Sequence, residues 1–310
     1  MRILLFIVLL FQPVIWFGQN NGKNVFETHR NTDRSVDTLR LVFEDNFDGT
    51  QIDDSKWRVI EGVVRDTKGS HEKQWYSPKN IYVSEGTLKV EARRESLQNM
   101  RYEIWEKDRM VPYTDSFEYS SGEIDSREQF GFGVYEIRCK IPRGKGFWPA
   151  FWMYGEKDGI NNEIDVFEFW NQRGIFTKLS KNKLARVHNM TAHYKGRMSQ
   201  KNYVGPEFSE DFHVFRVVWD ECRIEWWMDG SFKRRITRYK KMRPYDIDCG
   251  DLKSQNDLEE NVFPRDSVMG IIANLAIQSK DAAPDDSTPF PAIMEIDYIR
   301  YFEWAGRSTK

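Results

Sequence analysis

The chain has 310 residues, with 46 Lys and Arg set against 48 Asp and Glu for a formal charge of −2. Such a balance supplies no field to hold a polyanion, which excludes a dedicated nucleic-acid binder. With 40% hydrophobic and 15% aromatic residues, including 11 Trp, the chain has ample material for a core, and a disordered protein is excluded as well.

Residues 1–18 read as a secretory signal: Arg2 precedes an apolar run from Ile3 to Phe17, which is shorter than the ~20 residues of a spanning helix. Export is expected, with cleavage after Gly18 and no membrane segment in the mature chain. Residues 19–37 are polar, lack apolar periodicity and read as a linker. From Thr38 the signal is strand-like. Apolar and polar residues alternate in Leu39-Arg40-Leu41-Val42-Phe43, in Gly133 to Ile141 and in Met294 to Tyr301. Ser84-Glu85-Gly86 and Asp229-Gly230 punctuate such runs as hairpin turns. No amphipathic helix of three turns with good caps is found. Many short strands argue for an antiparallel sandwich or jelly roll, in one domain over residues 38–305 with a tail at 306–310. Cys139, Cys222 and Cys249 allow at most one internal disulfide, and none has the spacing of a zinc site.

The chemistry concentrates in the segment from Asn161 to Trp170. Alternation puts Glu163 and Asp165 on one face of a strand, with Ile164 and Val166 pointing into the core. Strict alternation would leave Glu168 on the wrong face. A one-residue bulge between Asp165 and Glu168 would restore it, giving three carboxylates in a row. The same spacing occurs at Glu123, Asp125 and Glu128, but Ser126 and Arg127 make that copy read as a surface acidic cluster on a solvated strand and turn.

Gly144-Lys145-Gly146-Phe147-Trp148-Pro149-Ala150-Phe151-Trp152-Met153, followed by Glu163-Ile164-Asp165-Val166-Phe167-Glu168, resembles glycoside hydrolase family 16 in its β-bulge, laminarinase-like branch, a branch related to agarases and carrageenases. Leu41 to Phe47, Gln74-Trp75-Tyr76, Thr191-Ala192-His193-Tyr194, Asn274-Leu275-Ala276 and Met294 to Tyr298 resemble further segments of that family. The resemblance implies an all-β, concanavalin-like jelly roll of two antiparallel sheets with an open concave cleft. It implies a monomeric enzyme whose partner is an extended polysaccharide, cleaved by retaining double displacement. In these roles Glu163 is the nucleophile, Glu168 the acid and base, and Asp165 lies between them. Closely spaced carboxylates in an aromatic-walled cleft push their titrations apart, as such a division of roles needs.

Sugar rings stack on indoles, and Trp148 is the first candidate platform. Trp75 and Trp170 are further candidates, able by position to face cleft or core, whereas Trp152 is expected in the core. Trp226 and Trp227 must face opposite sides of their strand, so at most one could serve the cleft. His193 and Asn274 are expected near the reacting sugar. No cofactor is required for catalysis. A structural calcium on the convex face is implied, with Asp297 as its carboxylate, although Asn46 stands where relatives commonly carry an acid.

The leading substrate is a β-1,3-glucan of the laminarin type. The stretch from Asn171 to Asn189, with Arg173, Lys178, Lys181, Lys183 and Arg186 and no acid, keeps two alternatives open. It is a loop that reads the anionic groups of an algal galactan, of the agar, porphyran or carrageenan type, or it is merely a solvated surface. A non-catalytic glycan-binding jelly roll is the remaining alternative; it would need neither acid nor nucleophile.

Overall fold

The computed structural model describes residues 26–30, 36–63, 72–106, 109–170, 184–238 and 268–308. The strands are β1 (Phe26–Arg30), β2 (Val36–Asp45), β3 (Trp57–Val59), β4 (Gln74–Tyr76), β5 (Ile81–Ser84), β6 (Thr87–Glu106), β7 (Arg109–Ser121), β8 (Glu123–Phe130) and β9 (Gly133–Lys140). They continue with β10 (Phe147–Lys157), β11 (Ile160–Glu168), β12 (Val187–Tyr194), β13 (Arg197–Val204), β14 (His213–Trp219), β15 (Arg223–Met228), β16 (Ser231–Thr237), β17 (Met269–Ile277) and β18 (Ala292–Ser308). One sheet runs β13-β12-β11-β10-β17-β8-β3. The other runs β16-β15-β14-β9-β18-β6-β7-β4, with β2 on β18, β1 on β2, and β5 on β6. The two sheets form the expected all-β jelly roll.

Local chemistry fixes the hairpins. Glu85 and Gly86 have φ of 52° and 70°, and Asp229 and Gly230 have 47° and 70°, so both turns need the left-handed conformations that Gly supplies at little cost. Between the sheets, Ile137, Phe151, Ile164, Phe167, Phe215 and Ile271 are almost wholly buried in one core. Cys139 is a buried free thiol, and Cys222 is disulfide-bonded.

The boundaries expected from the sequence need correction. The segment read as a linker contains β1, which pairs with β2 from Phe26↔Arg40 to Arg30↔Val36. His29 is buried with its ring edge-on to Trp227 at 5.0 Å, and the buried Asp37 faces Arg223 at 3.7 Å. At the other end, Gly306, Arg307 and Ser308 pair with Thr38, Asp37 and Val36, so the last strand runs through the expected tail. Polar side chains hid this pairing, because what orders them is contact with distant residues rather than their own apolar periodicity. Residues 1–18 lie outside the described residues.

The decisive irregularity is in β11. Against β12, Asp165 pairs with Thr191 and Glu168 with Asn189; against β10, Asp165 pairs with Trp152 and Phe167 with Phe151. Three steps along β11 match two along β12, which is a bulge in the expected place. Val166 and Phe167 both enter the core. A bulge leaves backbone groups without ladder partners, and here the Asp165 carbonyl accepts from Nε1 of Trp226 at 2.8 Å. Trp226 belongs to the opposite sheet, is almost fully buried, and carries the Arg234 guanidinium over its ring at 4.9 Å. Arg234 reaches on to the Met190 carbonyl and to Ser199 Oγ, tying β12 and β13 to the same post.

Trp226→Phe keeps most of the packing and removes the donor, so it should destabilise the fold by about 1–3 kcal/mol in urea unfolding, the cost of an unsatisfied buried carbonyl. It should also lower turnover, since the bulge sets the carboxylate face.

Candidate active site

The face of the seven-stranded sheet that points away from the core carries the site. With Phe147, Phe151 and Met153 in the core, Trp148, Trp152 and Tyr154 of β10 project from the opposite face. Glu163 and Asp165 project beside them from β11, and the bulge adds Glu168, as expected from the sequence. His193 of β12 stands directly across from Glu163 in register.

Nε2 of His193 lies 3.5 Å from Glu163 Oε1 and 3.3 Å from Asp165 Oδ2. At the other end of the row, Glu168 Oε1 accepts from the indole N–H of Trp148 at 3.2 Å and of Trp170 at 3.3 Å. These two indoles lie 4.9 Å apart at 57°. Two indole donors on Oε1 thus fix the orientation of the Glu168 carboxyl.

Burial dominates the electrostatics. The Glu163 carboxyl is pushed up to about 8, first by burial and then by the charge of Asp165, with His193 opposing. Asp165, whose side chain is only 2% exposed, is held well above the ordinary carboxylate range by burial and then by Glu168. Acids crowded into a dry site cannot all ionise near neutrality. Glu163 and Asp165 therefore titrate as one coupled pair.

Asn274 of β17 is buried; its Oδ1 accepts from Trp152 Nε1 at 3.0 Å, and its Nδ2 donates to the Tyr76 hydroxyl at 3.0 Å. Trp152, expected in the core, therefore faces the site. Trp75, a candidate platform able by position to face cleft or core, lies in the core. It is buried against Phe117 at 5.5 Å and Tyr102 at 6.5 Å, and it serves the packing of the β6–β7 hairpin. Its neighbour Tyr76, fully buried, holds Asn274, a supporting contact that sequence reasoning missed. Alternation in Gln74-Trp75-Tyr76 was the available signal, since Gln74 also turns toward β17 and accepts from the Ile277 amide at 2.7 Å. Trp226 is core and Trp227 lies on the opposite sheet, so neither reaches the site.

The acidic copy on β8 is not the expected surface cluster. Glu123 is 1% exposed and pairs in register with Asn274, while Asp125 bridges to Arg58 at 3.3 Å. Its strand lies within the sheet between β17 and β3, which the sequence alone did not reveal.

The residues do not fit the implied calcium. Asp297 Oδ2 accepts from Arg138, and Asn46 Oδ1 accepts from Arg300 at 3.2 Å. Asp45 spends its oxygens on the Phe47 amide and the Trp57 indole. Guanidinium, amide and indole N–H donors thus take oxygens that a hard cation would need. Of the basic segment after β11, Arg173, Lys178, Lys181 and Lys183 lie outside the described residues. Arg186 donates to the Gly205 carbonyl at 3.1 Å.

A jelly roll with this carboxylate face defines a class, the glycoside hydrolases. The model of "Glycosyl hydrolases family 16" matches residues 69–256, and the chain belongs to that family. It is 28% identical over 301 residues to the glucan endo-1,3-beta-glucosidase A1 of Niallia circulans, covering 88% of this chain and 39% of that protein. With the beta-glucanase of Rhodothermus marinus it shares 26% identity over 85% of each chain. The solved endo-beta-1,3-glucanase of Pyrococcus furiosus superposes with a TM-score of 0.66 at 28% identity, covering 91% of this chain and all of that one. Among the described residues no helix is long and apolar enough to cross a membrane.

A carboxyl raised in the folded state from 4.5 to about 8 contributes stability that is present below 4.5 and is lost as pH rises through 8. Glu163→Gln should therefore melt roughly 2–4 °C above the parent at pH 8 and show a smaller difference at pH 5, read by calorimetry at both values.

Proposed function

We propose that this protein is an exported endo-glycosidase that hydrolyses β-1,3-glucan with retention of configuration. The observation that carries this reading is the bulge at Val166, which places Glu163, Asp165 and Glu168 on one face between an imidazole and two indoles. The substrate assignment draws on the glucanase names of its relatives. Residues 1–18 supply the reading of export.

The first step is attack of a Glu163 oxygen on the anomeric carbon while Glu168 gives its proton to the departing glycosidic oxygen. One C–O bond forms to the enzyme and one breaks to the leaving sugar. Water then enters on the leaving side, Glu168 takes its proton, and the new C–O bond releases Glu163. Asp165 shares a proton with Glu163 in the resting state. It thereby holds the nucleophile in one orientation and spares the site a further negative charge. Trp148 and Trp170 fix the acid through its Oε1, and their ring faces, together with that of Trp152, offer platforms for successive sugars.

A reducing-end assay of the chain on laminarin, mixed-linkage glucan, agarose and porphyran tests this directly. Release from laminarin is expected, and Glu163→Gln should lower it by at least about a thousand-fold with folding retained. Activity confined to a galactan would replace the substrate, and no activity on any β-glycan would remove the proposal. The pH profile offers a second check. Asp165→Asn deletes the charge that raises the nucleophile, so the acidic limb of kcat/KM on laminarin should move to lower pH.

A further inference from the structure

We propose that Glu163, Asp165 and His193 also form a binding site for a borderline divalent cation of the zinc type, and that its occupancy reversibly shuts the enzyme off. Each of the three offers one ligand atom, and these atoms lie within 4.8 Å of one another. The two separations from His193 Nε2 are closer to those of metal ligands than to those of a hydrogen-bonded pair. An imidazolium donating to a carboxylate closes to about 2.7–2.9 Å, whereas His193 Nε2 stands at 3.3 Å and 3.5 Å from its two oxygens. Donors ~2.0–2.1 Å from a tetrahedral zinc are separated by edges of about 3.3–3.4 Å.

A second observation points to a ligand independently. Oδ2 of Asp165 is buried in a side chain only 2% exposed, has no hydrogen-bond partner, and is aimed at the imidazole. A carboxylate oxygen so placed lacks the compensation that buried polar atoms need, and a cation would supply it. The donors sit on adjacent strands, with Glu163 and His193 directly paired, so little ordering is required on binding.

One imidazole and two carboxylates suit zinc or cobalt, whereas calcium and magnesium seek six or more oxygens. Glu163 and His193 keep side-chain exposures of 28% and 36%, which leaves one side open for a water as fourth ligand. A Glu163 oxygen held in a coordinate bond cannot attack an anomeric carbon. Cation and polysaccharide therefore exclude each other, a consequence that rests on the nucleophile role proposed above, whereas the binding itself does not.

The test uses the full chain without an affinity tag, stripped with EDTA. Zinc is titrated calorimetrically near neutral pH, and cobalt is titrated in parallel by visible absorption. One saturable equivalent per chain is expected, with the intense ligand-field bands of four-coordinate cobalt. His193→Ala and Glu163→Gln should each weaken binding by at least about ten-fold while melting cooperatively. Absence of saturable binding, or unchanged affinity in both variants, would overturn the site. On laminarin, zinc should raise the apparent KM and EDTA should reverse it; zinc bound with turnover unchanged would overturn the shut-off. Should the protein prove inactive on laminarin, the calorimetric and cobalt readouts still decide the site by themselves.

Discussion

A regular strand cannot place residues five apart on one face, and the active site of this protein depends on breaking that rule once. The extra residue in β11 turns Glu168 toward Glu163 and Asp165 and sends Val166 and Phe167 together into the core. What holds the break open comes from the other sheet, since Trp226 spans the core to donate to the carbonyl of Asp165. Arg234 then stacks on Trp226 and reaches the Met190 carbonyl on β12, the strand that carries His193. The geometry of the reacting groups is thus set from behind, by a layer that no sugar touches.

The protein treats two sets of acids in opposite ways. On the far sheet, Glu295 is held below its ordinary range: burial opposes this, but hydrogen bonds and charge from Lys140 and Lys89 prevail. At the active site, the contacts seen among the described residues include an imidazole beside Glu163 and Asp165 and two indole N–H donors on Glu168, which orient an acid without themselves carrying a fixed charge. Burial then wins, and Glu163 and Asp165 rise. The division of roles proposed for these acids needs burial of that kind, because it lets closely spaced carboxyls keep a proton near neutrality.

Parity is what the sequence shows well, and it accounts for the expectations that held. The hairpin turns at Glu85-Gly86 and Asp229-Gly230 and the bulge before Glu168 all follow from local spacing, and each is present. Parity separates two faces without saying which of them is covered. For that reason the sequence leaves Trp75 open between cleft and core and puts Trp152 on the wrong side, although the alternation of each with its neighbours is plain. Partners far apart in sequence were beyond reach for a related reason. Asp297 is met by Arg138 and His29 by Trp227, and in each case the partner decides whether a polar side chain is a ligand or a core residue.

One such long-range contact shows how firmly the face beside the carboxylates is fixed. An indole nitrogen can only donate, so Asn274 must present its oxygen to Trp152, and its amide nitrogen is then committed to the hydroxyl of Tyr76. Tyr76 belongs to β4, which is paired with β7, while Asn274 belongs to β17 in the other sheet. The orientation of Trp152, directly across from Asp165, is therefore determined by the docking of the two sheets at their edge as well as by its own strand. Bulge and platform are fixed from opposite sides of the same face, the first by Trp226 through the core and the second by Tyr76 from the rim. A site assembled in this way has its donors and acceptors in place before a polysaccharide arrives, which is the condition under which electrostatic stabilisation of a transition state costs no reorganisation.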